Sequence, residues 1–211
     1  MLPHYPPAGF LHRKSGEEKG VVGGPSSLFQ AFYRRNQAAE QTTMSENIKS
    51  GAFYYAQVED VCVIRLVGSI TWKISPDFEH FLDQVLVDDT VRKFFLDLSQ
   101  TTYIDSTNLG LLARLHLPHS AKRSSTTKIY STRNAINTIL DDVGFTTIFA
   151  HSADNPYESI PMRPINAPKR VIDQKQLILK AHQDLARLNR RNRATFQSVV
   201  DEMERDVNRE G

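Results

Sequence analysis

The sequence has one cysteine, Cys62, among its 211 residues, which excludes an intramolecular disulfide and a cysteine-rich zinc site. It lacks the run of about 18 apolar residues that a membrane-spanning helix requires. It also lacks a charged start followed by an apolar stretch, the pattern of a secretory signal. Glycine-rich phosphate loops and a Gly-x-Ser-x-Gly nucleophile turn are missing as well. We therefore expect a soluble, cytoplasmic protein that is not an enzyme and holds no metal and no cofactor.

The net charge of +2 is the balance between a mildly acidic middle segment and two basic ends. Nucleic-acid-binding domains usually carry their basic groups on the folded module itself, so this distribution argues against direct nucleic-acid binding. The densest basic group, between Arg187 and Arg193, is soon followed by acidic residues. A solvated helix face is the simplest interpretation of that group.

The composition divides the chain into four parts. Residues 1–47 are rich in glycine and proline without a sustained apolar period, so we expect a disordered extension, in which Met44 is an alternative translation start. Residues 48–150 have the patterns of a folded domain. Residues 151–170 contain several prolines and predict an irregular connector. Residues 171–208 contain neither glycine nor proline and predict one long helix.

Within the domain, apolar runs and helical periods alternate. Helices are predicted from an N-cap at Ser75, from Ser106, and over 134–143. Strands are predicted over 53–57, 61–67, 93–98, 128–131 and 145–149. This order indicates an α/β fold with a mixed, mainly parallel sheet of four to five strands covered by helices, and a long C-terminal helix.

The predicted C-terminal helix carries a seam of residues that recur at alternating steps of three and four. Its members are Ile178, Ala181, Leu185, Leu188, Asn192, Thr195 and Val199. Such a seam fits a helix docked on its own domain and equally fits self-association through a coiled coil.

A hydroxyl side chain follows the strand ending near Leu98, at the start of the next helix. Ser106 or Thr107 is the natural N-cap there. A phosphate at this position would meet the positive end of the helix dipole and add about −1.5 to −2 charges beside Asp105. The residues alone leave two interpretations open, an ordinary helix cap or a phosphorylation site, and caps are the commoner case.

The same segment resembles the signature of the STAS domain, a family that includes bacterial anti-sigma factor antagonists. The resemblance lies in Asp97-Leu98-Ser99, then after four residues Ile104-Asp105-Ser106-Thr107, followed by Leu109-Gly110. It covers roughly residues 50–150 and implies a STAS-like fold. In that family the serine directly after the aspartate is phosphorylated, which implies phosphorylation of Ser106 and, less readily, of Thr107.

Two positions depart from the family pattern. Asn108 stands where the family often has glycine. Thr71, at the end of Gly68-Ser69-Ile70-Thr71, replaces an acid that lies near the phosphoacceptor in the family. The resemblance nevertheless implies a partner-binding surface, whose expected members are Thr71, Trp72, Ser75, Asp105, Ser106, Thr107, Asn108 and Leu109.

The resemblance implies a non-enzymatic switch in signal transduction and transcription regulation. Family antagonists bind the anti-sigma factor when dephosphorylated, and its kinase activity releases them by phosphorylation. The implied partners are an anti-sigma factor or serine kinase, together with a PP2C-type phosphatase. The alternative is a non-phosphorylated accessory subunit of a larger assembly, such as a transporter complex, in which Ser106 only caps its helix.

Overall fold

The structure is a computed structural model and describes residues 51–116, 127–166 and 173–210. The predicted extension over 1–47, with Met44, lies outside the described residues. The strands are β1 (Ala52–Val58), β2 (Val61–Ile70), β3 (Lys93–Ile104), β4 (Lys128–Tyr130), β5 (Ala150–His151) and β6 (Arg163–Pro164). The helices are α1 (Ser75–Val85), α2 (Ser106–Ala113), α3 (Asn134–Asp142), α4 (Phe145–Ile148), α5 (Gln174–Arg187) and α6 (Arg190–Glu210), with a 3₁₀ turn at Trp72–Ile74.

The six strands form one mixed sheet in the order β5-β4-β3-β2-β1-β6. Strands β2, β3, β4 and β5 run parallel to one another, whereas β1 runs antiparallel to both β2 and β6. A tight turn at Glu59 and Asp60 joins β1 to β2, with Glu59 at a φ of 55°. This sheet confirms the predicted α/β fold and has six strands where four to five were expected. Within the described ranges, no helix is both long and apolar enough to cross a membrane.

Several element predictions need correction. Strand β3 continues to Ile104 through residues predicted as a loop. The strand predicted over 145–149 was wrong: Gly144, at a φ of 74°, ends α3, and Phe145–Ile148 then forms a helical turn before β5. Strand β6 lies in the predicted connector. It has two residues and no periodic signal, and its Pro164 is compatible with the sheet because it sits on an edge strand.

One face of the sheet packs against the helices and forms the main core. The ring of Phe53 on β1 stacks on that of Phe78 on α1, with centroids 4.4 Å apart. Leu185 of α5 and Phe196 of α6 belong to the same buried cluster. The two C-terminal helices therefore complete the core of the domain.

The opposite face of the sheet is covered by the segment that precedes β6. Tyr157 packs edge-on against Phe95 with ring centroids 4.9 Å apart. Arg65 donates to the backbone carbonyls of Tyr157 and Glu158, both at 3.0 Å. Around Arg65, strand β2 is thus covered on both faces, as its apolar run predicted.

The C-terminal part forms two helices, α5 and α6, where one helix over 171–208 was predicted. Asn189 causes the break, because its side-chain oxygen accepts from the amide of Asn192 at 2.8 Å and caps α6. The side chain of Asn192 then donates to the carbonyls of Val143 and Leu185, at 2.9 and 3.1 Å. The predicted seam is therefore used inside the chain, and self-association stays a prediction.

Candidate functional site

The helix α2 begins at a carboxylate cap. Asp105, in an extended conformation, accepts from the backbone amide of Asn108 at 3.0 Å and from its side-chain amide at 2.9 Å. The expectation that Ser106 or Thr107 caps this helix was therefore wrong. Because Asp105 satisfies the amide that a cap must reach, the hydroxyl of Ser106 is left for another contact.

Asp105 also connects α2 to the turn that follows β2. Its second carboxylate oxygen accepts from the backbone amide of Trp72 at 2.5 Å, and its own amide donates to the carbonyl of Ile70 at 3.1 Å. The side chain of Trp72 is 39% exposed. Two segments that the sequence analysis assigned to the partner surface, at Thr71-Trp72 and Asp105-Ser106, thus lie side by side.

The hydroxyl of Ser106 contacts a histidine of the C-terminal region. Ser106 Oγ lies 3.0 Å from Nε2 of His182 on α5. The other ring nitrogen of His182, Nδ1, lies 2.8 Å from the carbonyl oxygen of Ile178. A carbonyl can only accept, so Nδ1 carries the proton and Ser106 donates to Nε2 of a neutral imidazole.

His182 is buried, with 6% of its surface exposed, and its ring packs against Phe196 with centroids 6.0 Å apart. Burial lowers the pKa of His182 below its usual value near 6.5, and the hydrogen bond to the carbonyl of Ile178 offsets only part of that effect. The folded protein therefore keeps His182 neutral at neutral pH, which is the form that accepts from Ser106.

We expect the free energy of unfolding to fall as the pH drops from about 6.5 through the folded-state pKa of His182. The sign follows because the unfolded chain binds a proton to this imidazole at a higher pH than the folded chain does. Urea unfolding at a series of pH values measures the effect. The variant His182→Phe should have a shallower pH slope than the exposed control variant His151→Gln, and equal slopes would contradict this role of His182.

Half of the expected partner-binding residues lie inside the protein. Ser75 is fully buried and donates through its hydroxyl to the side-chain oxygen of Asn108 at 3.1 Å. It lies within α1, and the expectation that it caps this helix was wrong. Asn108, Leu109 and Thr107 are also buried. In the described arrangement, Ser75 and Asn108 join α1 to α2, and all four side chains are covered by the protein itself.

The face of α2 that turns away from the sheet is covered by α5. A Cβ atom placed on Gly110 would lie 2.1 Å from the backbone oxygen of Ala181, so the two helices cross in backbone contact at this point. Lys180 and Glu79 form an ion pair of 3.8 Å that also joins α5 to α1. Neither the role of His182 nor this crossing was predicted from the sequence, because contacts between residues 70 or more positions apart leave no local pattern.

No group of three or more metal-ligating side chains occurs in the part of the chain that the structure describes. The hydroxyl of Ser106 contacts the buried His182, and the adjacent Asp105 binds the amide of the exposed Trp72.

Known proteins were compared with this chain by sequence family and by structure. The family model of the STAS domain matches residues 53–160, just over half of the chain. No curated protein matches the sequence.

Two solved structures resemble the fold. An anti-sigma factor antagonist from Mycobacterium paratuberculosis is 18% identical, with 50% of this chain and 87% of that chain covered and a TM-score of 0.44. The anti-sigma factor antagonist SpoIIAA in its unphosphorylated form is also 18% identical, with 49% and 90% covered and a TM-score of 0.42.

Proposed function

This chain belongs to the STAS domain family, and on that premise we propose that it is an anti-sigma factor antagonist controlled by phosphorylation of Ser106. The unmodified form binds an anti-sigma factor with serine kinase activity in the cytoplasm, and the phosphorylated form is released. The observation that carries the proposal is the position of Ser106 directly after the capping Asp105, whose carboxylate accepts from the amide of the exposed Trp72.

The surface offered to the partner is the switch rim, which we define as Thr71, Trp72, Asp105 and Ser106. Tryptophan is enriched among the residues that dominate binding energy at protein interfaces, and the Trp72 ring is the large apolar group of this rim. The capping interaction holds the rim in place, because Asp105 binds the amides of both Trp72 and Asn108. A preorganised rim lowers the entropy lost on binding.

The modification itself is an ordinary phosphoryl transfer. The Ser106 oxygen attacks the γ-phosphorus of a nucleoside triphosphate, its proton passes to a base of the kinase, and the nucleoside diphosphate leaves. A PP2C-type phosphatase reverses the change by hydrolysing the ester to serine and inorganic phosphate. The new charge of about −1.5 to −2 lies next to the Asp105 carboxylate, so it adds repulsion and desolvation cost within an interface.

The contact between Ser106 and His182 supports a binding role over a hydrolytic one. In a hydrolytic triad the histidine is oriented by a carboxylate and accepts the proton of an accessible nucleophile. Here the orienting group is the backbone carbonyl of Ile178 on the same helix, and the imidazole is buried beneath Phe196. We therefore propose a protein that acts by association alone.

Binding to the cognate anti-sigma kinase tests the proposal. We expect phosphoserine at position 106, or Ser106→Asp, to weaken binding at least about tenfold relative to Ser106→Ala, which is a free-energy change of about 1.4 kcal/mol. Trp72→Ala should weaken binding by a similar factor. The matched control is Val87→Ala, because Val87 is 80% exposed and lies beyond the far end of α1.

Equal affinity of the phosphorylated and unmodified proteins would contradict the mechanism. Mass spectrometry of the native protein separates it from the accessory-subunit alternative. Absence of phosphate on Ser106 in all growth states would favour the alternative.

A further inference from the structure

The C-terminal hairpin, which we define as α5 and α6, lies over the residue that the proposed function modifies. Its contacts with α2 include that of His182 with Ser106 Oγ and that of the Ala181 backbone with Gly110. It is also anchored in the core by Leu185 and Phe196, which are 0% and 1% exposed. The hydroxyl of Ser106 is thus enclosed on one side by a segment outside the matched family region of 53–160.

We propose that the C-terminal hairpin is an intramolecular cover that competes with phosphorylation of Ser106. While docked, it engages the hydroxyl and shields it from a kinase, and phosphoserine at this position releases it from α2. The inference rests on the proposed function only in taking Ser106 as the modified residue.

The geometry at the contact makes the two states exclusive. Ser106 Oγ and His182 Nε2 lie 3.0 Å apart, and only the hydroxyl hydrogen of Ser106 fits between them. A phosphoryl group replaces that proton with a phosphorus atom and three further oxygens, which do not fit in the same gap. The ester oxygen that remains has no proton to donate, so Nε2 loses its partner, and a buried acceptor without a partner destabilises the docked state.

The α5 side of the contact is held in place by its neighbours. The imidazole is held by its bond to Ile178 and by the ring of Phe196, so it cannot swing away without breaking both contacts. Helix α5 cannot slide along α2, because Gly110 and Ala181 already meet backbone to backbone. A phosphate facing His182 is therefore accommodated by separation of the hairpin from α2.

Docking of the hairpin and phosphorylation of Ser106 are linked, and the linkage is reciprocal. If the phosphate weakens docking of the hairpin by some factor, docking must disfavour the phosphorylated state by the same factor. A partner or condition that lifts the hairpin would then promote modification. A chain with the hairpin docked would resist modification, even where the kinase recognises the rim.

Hydrogen exchange of the full chain tests the release directly. With phosphoserine installed at position 106, we expect amides across Gln174–Arg187 to exchange at least about tenfold faster than in Ser106→Ala, which loses the same hydroxyl but gains no group. The control Thr102→Glu adds negative charge at an exposed site on β3 and should leave exchange in α5 unchanged. Unchanged or increased protection of α5 in the phosphoserine protein would overturn the proposal, since it would mean that the phosphate fits beneath the hairpin or pairs with His182.

Alkylation of the full chain tests the shielding. In Ser106→Cys, we expect iodoacetamide to react at position 106 at least about tenfold faster once Gly110→Ala is added to open the crossing. Cys62, which is 1% exposed, serves as an internal control, because reaction there would report unfolding of the whole domain. Equal rates at position 106 with Cys62 protected would contradict the shielding.

Neither experiment uses the partner, so their failure is distinguishable from failure of the proposed function. If phosphorylation opens the hairpin but leaves partner affinity unchanged, the proposed binding switch is wrong and the proposed cover stands. If phosphorylation abolishes partner binding but α5 stays protected, the cover is wrong and the binding switch stands.

Discussion

Replacing Gly110 with alanine is expected to lower the free energy of unfolding by about 3 kcal/mol, the upper part of the range for overpacked sites. The added Cβ would lie 2.1 Å from the backbone oxygen of Ala181, and no rotamer change relieves a contact with backbone. Helix α5 must therefore move away from α2, which removes the hydrogen bond between Ser106 and His182. Urea unfolding gives the stability, and amide exchange in α5 locates the loss.

The expected change in stability has the opposite sign to the usual effect of this substitution. Gly110 lies inside a helix, and a glycine-to-alanine change within a helix ordinarily stabilises a protein by about 0.5–1 kcal/mol. A control in a helix that has no such contact is Ser198→Ala, on the exposed face of α6, where we expect a change within about 0.5 kcal/mol. A stabilising effect of Gly110→Ala would show that α5 does not cross α2 in the way described.

Replacing Asp97 with alanine is expected to cost about 3–5 kcal/mol, the range for a buried ion pair that loses one partner. Asp97 is 1% exposed and accepts from Arg65 Nε at 2.7 Å, from the Ser99 hydroxyl at 2.6 Å and from the Asn155 side chain at 2.9 Å. Without the carboxylate, the largely buried guanidinium of Arg65 is left with its hydrogen bonds to the carbonyls of Tyr157 and Glu158. Chemical denaturation measures the cost, and the exposed residue Asp89, changed to alanine, is the matched control.

The Asp97 carboxylate also makes the free energy of unfolding depend on pH in the acid range. Burial raises the pKa of Asp97, but the hydrogen bonds from Ser99 and Arg65 outweigh it and leave the pKa below the usual value. The stabilisation is therefore complete above the unfolded-state pKa of about 3.9 and is lost as the pH falls through the folded-state value. The Asp97→Ala variant should lose less stability than the parent chain between pH 5 and pH 3. Parallel pH curves for the two proteins would contradict this ion-pair network.

These two sites have different consequences for the proposed switch. The Asp97 network fastens the segment 155–158 to the face of the sheet opposite the helices, so its loss acts on the fold. The Gly110 crossing lies on the helix that begins with Ser106, so its loss acts on access to the hydroxyl. The rim residue Trp72 is separate from both, and its substitution is expected to change binding alone.

The sequence by itself predicted the α/β class, the mainly parallel sheet and a distinctive serine after Asp105, because these depend on local information. Apolar alternation identifies a strand, a 3.6-residue period identifies a helix, and Asp105-Ser106 lies within a short motif. The helix over 134–143 was marked by its own periodicity and by Gly144 at its end. Where the local signal was short, as for β6 or the turn after Gly144, the prediction was missing or wrong.

Only the tertiary structure decided what surrounds Ser106. The choice of Asp105 over Ser106 as the cap depends on which oxygen reaches the amide of Asn108 once β3 and α2 are placed. The burial of half the expected contact residues and the pairing of Ser106 with His182 depend on α5 folding back across 76 positions of sequence. A seam of mostly apolar residues predicts that a helix will be covered. Which element covers that helix depends on shape and on small residues such as Gly110, and no period along the chain encodes these.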